Sequence, residues 1–324
     1  MEVWEFILTK LNASIAVQLL YVLESEGSSP GRQGFKMAVA ADGTFNGTIG
    51  GGIMEHKLVE KARQMLTENE ANVSLMRQYH DKQQAINQSG MICSGSQLNA
   101  FIPIARKEEA IVKYITEGQQ KIIQLSTKGI SLRDAIPQDK NYDLEFRNEK
   151  DWFYSEKINQ QPVIHIIGGG HVSLALSQQM SFVGFFIKVY DDRPGLNTME
   201  ENSFAGEKYF IEDYGKLGDT IQASTDDHVV IITFGYRSDK VVLKQLLDKK
   251  FAYIGLIGSD KKIETLFKEL EEEGIEPARW THVFAPIGIN IFSKTAAEIA
   301  VSIAAEIIRE KNKGLPTGRQ DNNS

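Results

Sequence analysis

The sequence predicts an α/β protein in two parts, an N-terminal α+β domain followed by a C-terminal domain with a mainly parallel sheet, and three observations lead there. The first is length: 324 residues exceed the roughly 100–200 residues of one ordinary domain, so two are expected. The second is a pair of glycine clusters in different halves, eight glycines between Gly27 and Gly52 and a triplet at Gly168, Gly169 and Gly170. The third is rhythm. Strand and helix signals are irregularly mixed in the first half, whereas apolar runs and helical stretches alternate regularly in the second.

The elements follow in order. Val3, Phe6, Ile7 and Leu11 form an i, i+3, i+4 stripe, a short amphipathic helix. Val17 to Leu23 is a strand. Two short alternating runs, Phe35 to Val39 and Phe45 to Ile49, flank Asp42-Gly43, a hairpin signal. A helix is expected from Ile53 to Thr67, a strand from Leu98 to Ile104 and a helix from Glu108 to Ile115. The stretch from Asp139 to Pro162 is polar and lacks a sustained apolar period, which places the domain boundary near 150–162. The expected division is 1–155 for the first domain and 156–314 for the second, with 315–324 as a disordered tail.

Beyond the boundary, Val163-Ile164-His165-Ile166-Ile167 reads as a strand buried on both faces. Further strands are expected at Phe185 to Tyr190, Val229 to Thr233 and Tyr253 to Ile257, separated by helices near 237–248 and 259–273. Thr295 and Glu298 have capping-box spacing ahead of a last helix marked by Ile299, Ile303 and Ile307.

Composition removes several function classes. Thirty-six Lys plus Arg against 43 Asp plus Glu give a net charge of −7, which disfavours nucleic acid and anionic membranes as partners. The opening residues lack the pattern of an export signal, and the apolar stretch from Ile15 to Leu23 is far shorter than the ~20 residues that span a bilayer. A soluble, cytoplasmic protein is expected. A single cysteine, Cys93, leaves no internal disulfide and no all-cysteine metal site; it is either a buried small hydrophobe or a reactive thiolate.

Two places carry chemistry. Gly168-Gly169-Gly170 follows a strand and opens a helix, the context of a dinucleotide fingerprint. Gly168 would allow the tight turn and Gly170 the approach of a pyrophosphate to the helix N-terminus. Ser173 stands where the third glycine belongs. Asp191, 21 residues after Gly170, is placed to bind a ribose hydroxyl. Together these features indicate a Rossmann-like domain, in which His165 reads as a hydrogen-bonded core residue and His171 as the functional candidate. Whether it holds NAD(P), another nucleotide or none stays open. In the first half, Gly27-Ser28-Ser29-Pro30-Gly31-Arg32 joins small hydroxyls to one arginine, and Gly50-Gly51-Gly52 exposes backbone amides ahead of Glu55. These are either an anion-binding surface or two flexible turns.

The joint pattern is more specific. Gly27 to Pro30, Gly47-Thr48-Ile49-Gly50-Gly51-Gly52 with Glu55, and Cys93 before Gly95 resemble the N-terminal motifs of the XdhC/CoxI family of xanthine dehydrogenase accessory proteins. Gly168 to Val172, Asp191-Asp192-Arg193-Pro194, Tyr253 to Ser259, Pro286-Ile287-Gly288 and the Lys294-Thr295 segment are similar to its C-terminal motifs. The resemblance spans residues 15–312. It implies an accessory protein that binds the molybdenum cofactor (molybdopterin), protects it, and assists its sulfuration and insertion into a xanthine dehydrogenase-type molybdenum hydroxylase. A homodimer and a cysteine desulfurase partner are further implications.

On that reading Cys93 would contact the molybdenum or its sulfur, while Ser28, Ser29, Arg32, Gly50, Gly51, Gly52 and Glu55 would hold the pterin or phosphate. Gly168, Gly170, His171, Asp191 and Asp192 would form the C-terminal site. An NAD(P)-dependent oxidoreductase and a nucleotide-responsive module without catalysis are the alternatives. The sequence departs from the family at Ser94, at Gly31 with Arg32 one position late, at Ser173, and at Phe234-Gly235-Tyr236-Arg237, where a histidine-containing segment is common.

Overall fold

The computed structural model describes residues 2–27, 29–79, 95–118, 120–136, 139–159 and 161–313. Ser28, Cys93 and the expected tail lie outside them. The chain divides into two compact units, one ending at Gln160 and the other running from Gln161 to Lys313.

The N-terminal unit begins with α1 (Val3–Asn12), β1 (Val17–Gly27), β2 (Lys36–Ala40), β3 (Phe45–Gly47), α2 (Gly52–Thr67), β4 (Ser74–Tyr79) and β5 (Gly95–Ile104). It continues with α3 (Glu109–Thr116), β6 (Lys121–Ser126), β7 (Gly129–Asp134), β8 (Tyr142–Asn148) and β9 (Asp151–Ile158). The strands form a five-stranded antiparallel sheet in the order β3-β2-β1-β5-β4 and a four-stranded one in the order β7-β6-β9-β8. Strand β1 shows why the first sheet is the centre of the unit. Leu19, Tyr21 and Leu23 enter one core with α1, α3 and the second sheet, and the alternate residues Leu20 and Val22 enter another with Leu58, Val59 and Ala62 of α2. Both faces of the strand are thus buried, as its period of two and continuous apolarity require.

The second sheet corrects the reading of 139–162 as a polar stretch without a period. Trp152 and Tyr154 point inward while Phe153 between them is exposed. One face of this sheet is solvated and carries charged residues, so the alternation is diluted by polar positions. Strand β9 extends to Ile158.

The C-terminal unit is a repeated β–α alternation: β10 (Val163–Ile167), α4 (His171–Phe182), β11 (Phe186–Asp191), α5 (Asn197–Glu200), β12 (Glu207–Phe210), α6 (Leu217–Thr220), β13 (His228–Ile231), α7 (Tyr236–Leu246), β14 (Tyr253–Leu256), α8 (Asp260–Glu272), β15 (Val283–Phe284) and α9 (Ala296–Lys311). The strand order is β12-β11-β10-β13-β14-β15, and the pairings are parallel. Counted within the unit this is 3-2-1-4-5-6, the order of dinucleotide-binding sheets. Ile164, Ile166, Val189 and Val230 pack on one face, and Ile167, Tyr190, Val229 and Ile231 on the other. The last helix starts as its spacing predicts, with the Thr295 hydroxyl accepting from Glu298 N–H and the Glu298 carboxylate accepting from Thr295 N–H.

Candidate functional sites in the two units

In the C-terminal unit the chain order reverses between β10 and β13, and the glycine turn after β10 lies at that switch point, where open α/β sheets bind ligands. Gly168 has φ +114 and an added Cβ would sit 2.2 Å from the Ile232 carbonyl oxygen, so glycine is required both by conformation and by the close approach of the neighbouring strand. Gly170 has nothing within 4 Å of an added Cβ. His171, exposed, starts α4. The N-terminal end of α4 is therefore open to a ligand. Ser173, at the third fingerprint position, is buried with no hydrogen-bond partner for its hydroxyl among the described residues. His165 is a core residue bonded to Tyr190 at 2.9 Å and Asp227 at 3.2 Å.

The register of β10 and β11, which pairs Ile167 with Tyr190, carries Asp191 to the side of the glycine turn. Its carboxylate is 1% exposed. It accepts the Gly169 N–H at 2.6 Å and the Arg193 N–H at 2.9 Å. Arg193 also donates Nε at 2.8 Å to one oxygen and Nη2 at 2.7 Å to the other. The Gly169 carbonyl accepts from the Thr198 hydroxyl at 2.5 Å. Burial pushes the Asp191 carboxyl up, but the Arg193 guanidinium and the two backbone donors outweigh it and hold the group below its usual range.

This geometry does not fit a ribose diol on Asp191. Its two oxygens already accept four hydrogen bonds, from the Gly169 and Arg193 N–H groups and from Arg193 Nε and Nη2, which uses the roughly four lone-pair positions of a carboxylate. The guanidinium keeps the carboxylate. Asp192 is exposed beside it.

Sequence reasoning missed three participants. Arg193 belongs to a motif whose acids drew attention first. Phe234, 88% exposed, lies under the Arg193 guanidinium at 5.4 Å, a cation–π contact from the loop after β13. Asp239 of α7 is fully buried and accepts from Thr233 Oγ1 at 2.7 Å and from Lys262 Nζ of α8 at 2.5 Å, and Lys262 Nζ also donates to Ile257 O after β14 at 3.1 Å. Burial drives its carboxyl upward against the opposing pull of Lys262 and Thr233. Only the Asp-x-Arg spacing of the first of these was visible in the sequence.

In the N-terminal unit the two glycine segments are joined. An added Cβ on Gly31 would sit 2.1 Å from the Ile49 carbonyl oxygen, and one on Gly50 2.5 Å from Gly31 N, so the two backbones cross in contact. Buried Gln97 of β5 stitches them: it accepts from the Ser29 hydroxyl at 2.9 Å and donates to Ile49 O at 3.0 Å. Arg32 reaches Gly27 O at 3.4 Å. One Glu55 oxygen accepts from the Thr48 hydroxyl at 2.6 Å and from the Ile49 and Gly51 N–H groups, each at 3.0 Å. Gly51 and Gly52 have φ +75 and +71 and open space where a Cβ would be. That open surface fits a flat group, whereas an anion would have to displace the Glu55 carboxylate from the Ile49 and Gly51 N–H groups. Among the described residues no three His, Cys, Asp or Glu side chains converge to hold a metal ion.

Both units have recognisable relatives. Residues 164–307 match the XdhC Rossmann domain, and residues 11–80 match the XdhC and CoxI family. The chain belongs to the XdhC and CoxI family. Within curated sequences, this XdhC/CoxI chain is 27% identical over 292 residues to the uncharacterized protein YqeB of Escherichia coli (strain K12), covering 90% of the chain and 43% of YqeB. It is also 27% identical over 161 residues to a probable xanthine dehydrogenase subunit of Bacillus subtilis (strain 168), covering 49% of the chain and 46% of that protein. The chain spans less than half the length of either relative. A crystal structure described as a xanthine dehydrogenase from Bacillus halodurans has the same fold, with TM-score 0.68 and 24% identity over all of this chain and 98% of the other.

Proposed function

We propose that this XdhC/CoxI chain is an accessory protein of a xanthine dehydrogenase-type molybdenum hydroxylase that binds the molybdenum cofactor in transit, shelters it, and assists its sulfuration and insertion. The observation that carries the reading is the cradle of the N-terminal unit, two crossing glycine segments with Gly51 and Gly52 open, in a chain with both modules of this family. When bound, the cofactor supplies a molybdenum centre for the client enzyme. The chain's part is to hold it. Gly51 and Gly52 leave room for a flat ring system, Glu55 and Gln97 keep the loop in shape, Ser29 and Arg32 belong to the crossing segment, and Ser28, outside the described residues, is assigned to the same task. Cys93, outside the described residues, supplies a thiolate, a soft ligand for the metal or its sulfur. A cysteine desulfurase and a second copy of the chain are its further partners, and the cytoplasm its location. Among the described residues no helix is long and apolar enough to cross a membrane.

A second reading has its own support. The 3-2-1-4-5-6 order and the open Gly170 and His171 edge favour a nucleotide at the C-terminal crevice, as a binding module. A dehydrogenase that grips ribose through Asp191 has no such support, because that carboxylate is already paired.

The test of the first reading is anaerobic purification with metal analysis and pterin fluorescence, comparing wild type with Cys93→Ala. Wild type is expected to retain molybdenum and pterin, and the variant about tenfold less molybdenum. Wild type free of both under cofactor loading overturns the reading; equal retention by the variant removes the thiolate from it.

A further inference from the structure

Resting on the nucleotide reading of the C-terminal crevice, we propose that Arg193 sets its ligand class: the site takes a nucleotide whose ribose carries a phosphate monoester and rejects one with a free ribose diol. Three features converge. The residue that would accept ribose hydroxyls, Asp191, is sealed by the Nε and Nη2 donors of Arg193 and by the Gly169 amide. The guanidinium is not exhausted by this pairing. Among the described residues its Nη1 has no hydrogen-bond partner, and the side chain is 35% exposed, so two N–H donors remain at the surface. Finally, a cavity of about 360 Å³ opens there, lined by Arg193, Leu196, Met199, Glu200, Lys208 and Phe210 among others.

Lys208 brings a second cation to this cavity, bonded to the Glu200 carbonyl oxygen at 3.1 Å. Glu200 is the opposing charge. A phosphate dianion bound between Nη1 and Nζ would meet two donors of opposite charge, the arrangement in which charge-assisted hydrogen bonds are strongest, and Leu196, Met199 and Phe210 offer apolar surface to a base. The fold places an arginine beside the end of its second strand, where other sheets of this order accommodate a ribose phosphate. The ring of Phe234 lies against the guanidinium at 5.4 Å, on the face of the fork rather than on its donor edge. Arg193 here is a binding and selecting residue, and Asp191 a positioning one.

The experiment is a fluorescence titration of the full chain with NADPH and NADH, and a calorimetric titration with 2′-AMP and 5′-AMP. Wild type is expected to bind NADPH at least about 30-fold more tightly than NADH, with 2′-AMP preferred over 5′-AMP. Lys208→Ala, an exposed change, should weaken NADPH several-fold and leave NADH unaffected. Arg193→Ala should abolish the preference; if that variant does not fold by circular dichroism, Lys208→Ala decides alone. NADH bound as tightly as NADPH overturns the proposal while leaving the nucleotide reading intact. Failure of all four compounds to bind overturns both. An NADPH affinity unchanged in Lys208→Ala removes the second cation and overturns the paired-cation site.

Discussion

Both glycine loops of this protein have their backbone amides capped by one of the chain's own carboxylates, yet the two caps are built differently. Glu55 comes from the helix that the loop itself opens, four residues after Gly51, and is half-buried. Asp191 arrives from 22 residues away on a neighbouring strand, is buried, and carries a guanidinium partner. A local, partly solvated cap can yield to a ligand anion, because the displaced carboxylate returns to water. A buried cap locked to an arginine cannot, because the stranded charge would have nowhere to go. The N-terminal loop is thus adaptable, whereas the C-terminal turn is a rigid support whose selectivity passes to Arg193.

The largest expected effect tests that rigidity. Asp191→Ala should destabilise the C-terminal unit by about 2–3 kcal/mol, since it leaves the Gly169 amide uncapped and removes the hydrogen bonds of Arg193, whose partly exposed guanidinium water can still solvate; urea unfolding followed through Trp280, in that unit, reads it. A loss no greater than that of the Glu55 variant would erase the contrast. Glu55→Ala should cost about 1–2 kcal/mol in thermal unfolding, with Glu55→Gln losing less because it keeps one acceptor oxygen.

The smallest effect is in pH. Buried His228 is held below its usual range, first by burial and then by Lys311. The unfolded chain therefore binds the proton more readily than the folded one, and stability contributed by the neutral ring is lost as pH falls from about 6.5 downward. Acid unfolding should begin in the C-terminal unit, and His228→Asn should flatten the dependence below about pH 6.5 in hydrogen exchange. An unchanged profile would remove His228 as the cause.

Much of the fold was legible. The expected helix from Ile53 to Thr67 is α2 at Gly52–Thr67, and the runs at 163–167, 185–190, 229–233 and 253–257 each fall within one or two residues of a parallel strand. Those strands are buried on both faces, so apolarity is continuous and marks them. Strands β6 to β9 were not read. Their exposed faces and turns carry Lys128, Glu145, Arg147 and Lys150, and a half-solvated sheet writes a weaker period. The glycine turns were visible because left-handed backbone is a local demand that few residues but glycine meet.

The sequence by itself determined the two-part α/β architecture, the family, and the positions of both glycine loops, since periodicity and backbone conformation are properties of neighbouring residues. Only the tertiary structure decided what fills those loops. Which carboxylate caps Gly169, that Arg193 seals it, that Phe234 lies beneath the guanidinium and that Gln97 fastens two crossing backbones all depend on strand register and on contacts between residues far apart in the chain. A buried charge takes its meaning from its partners, and in this protein the fold supplies them.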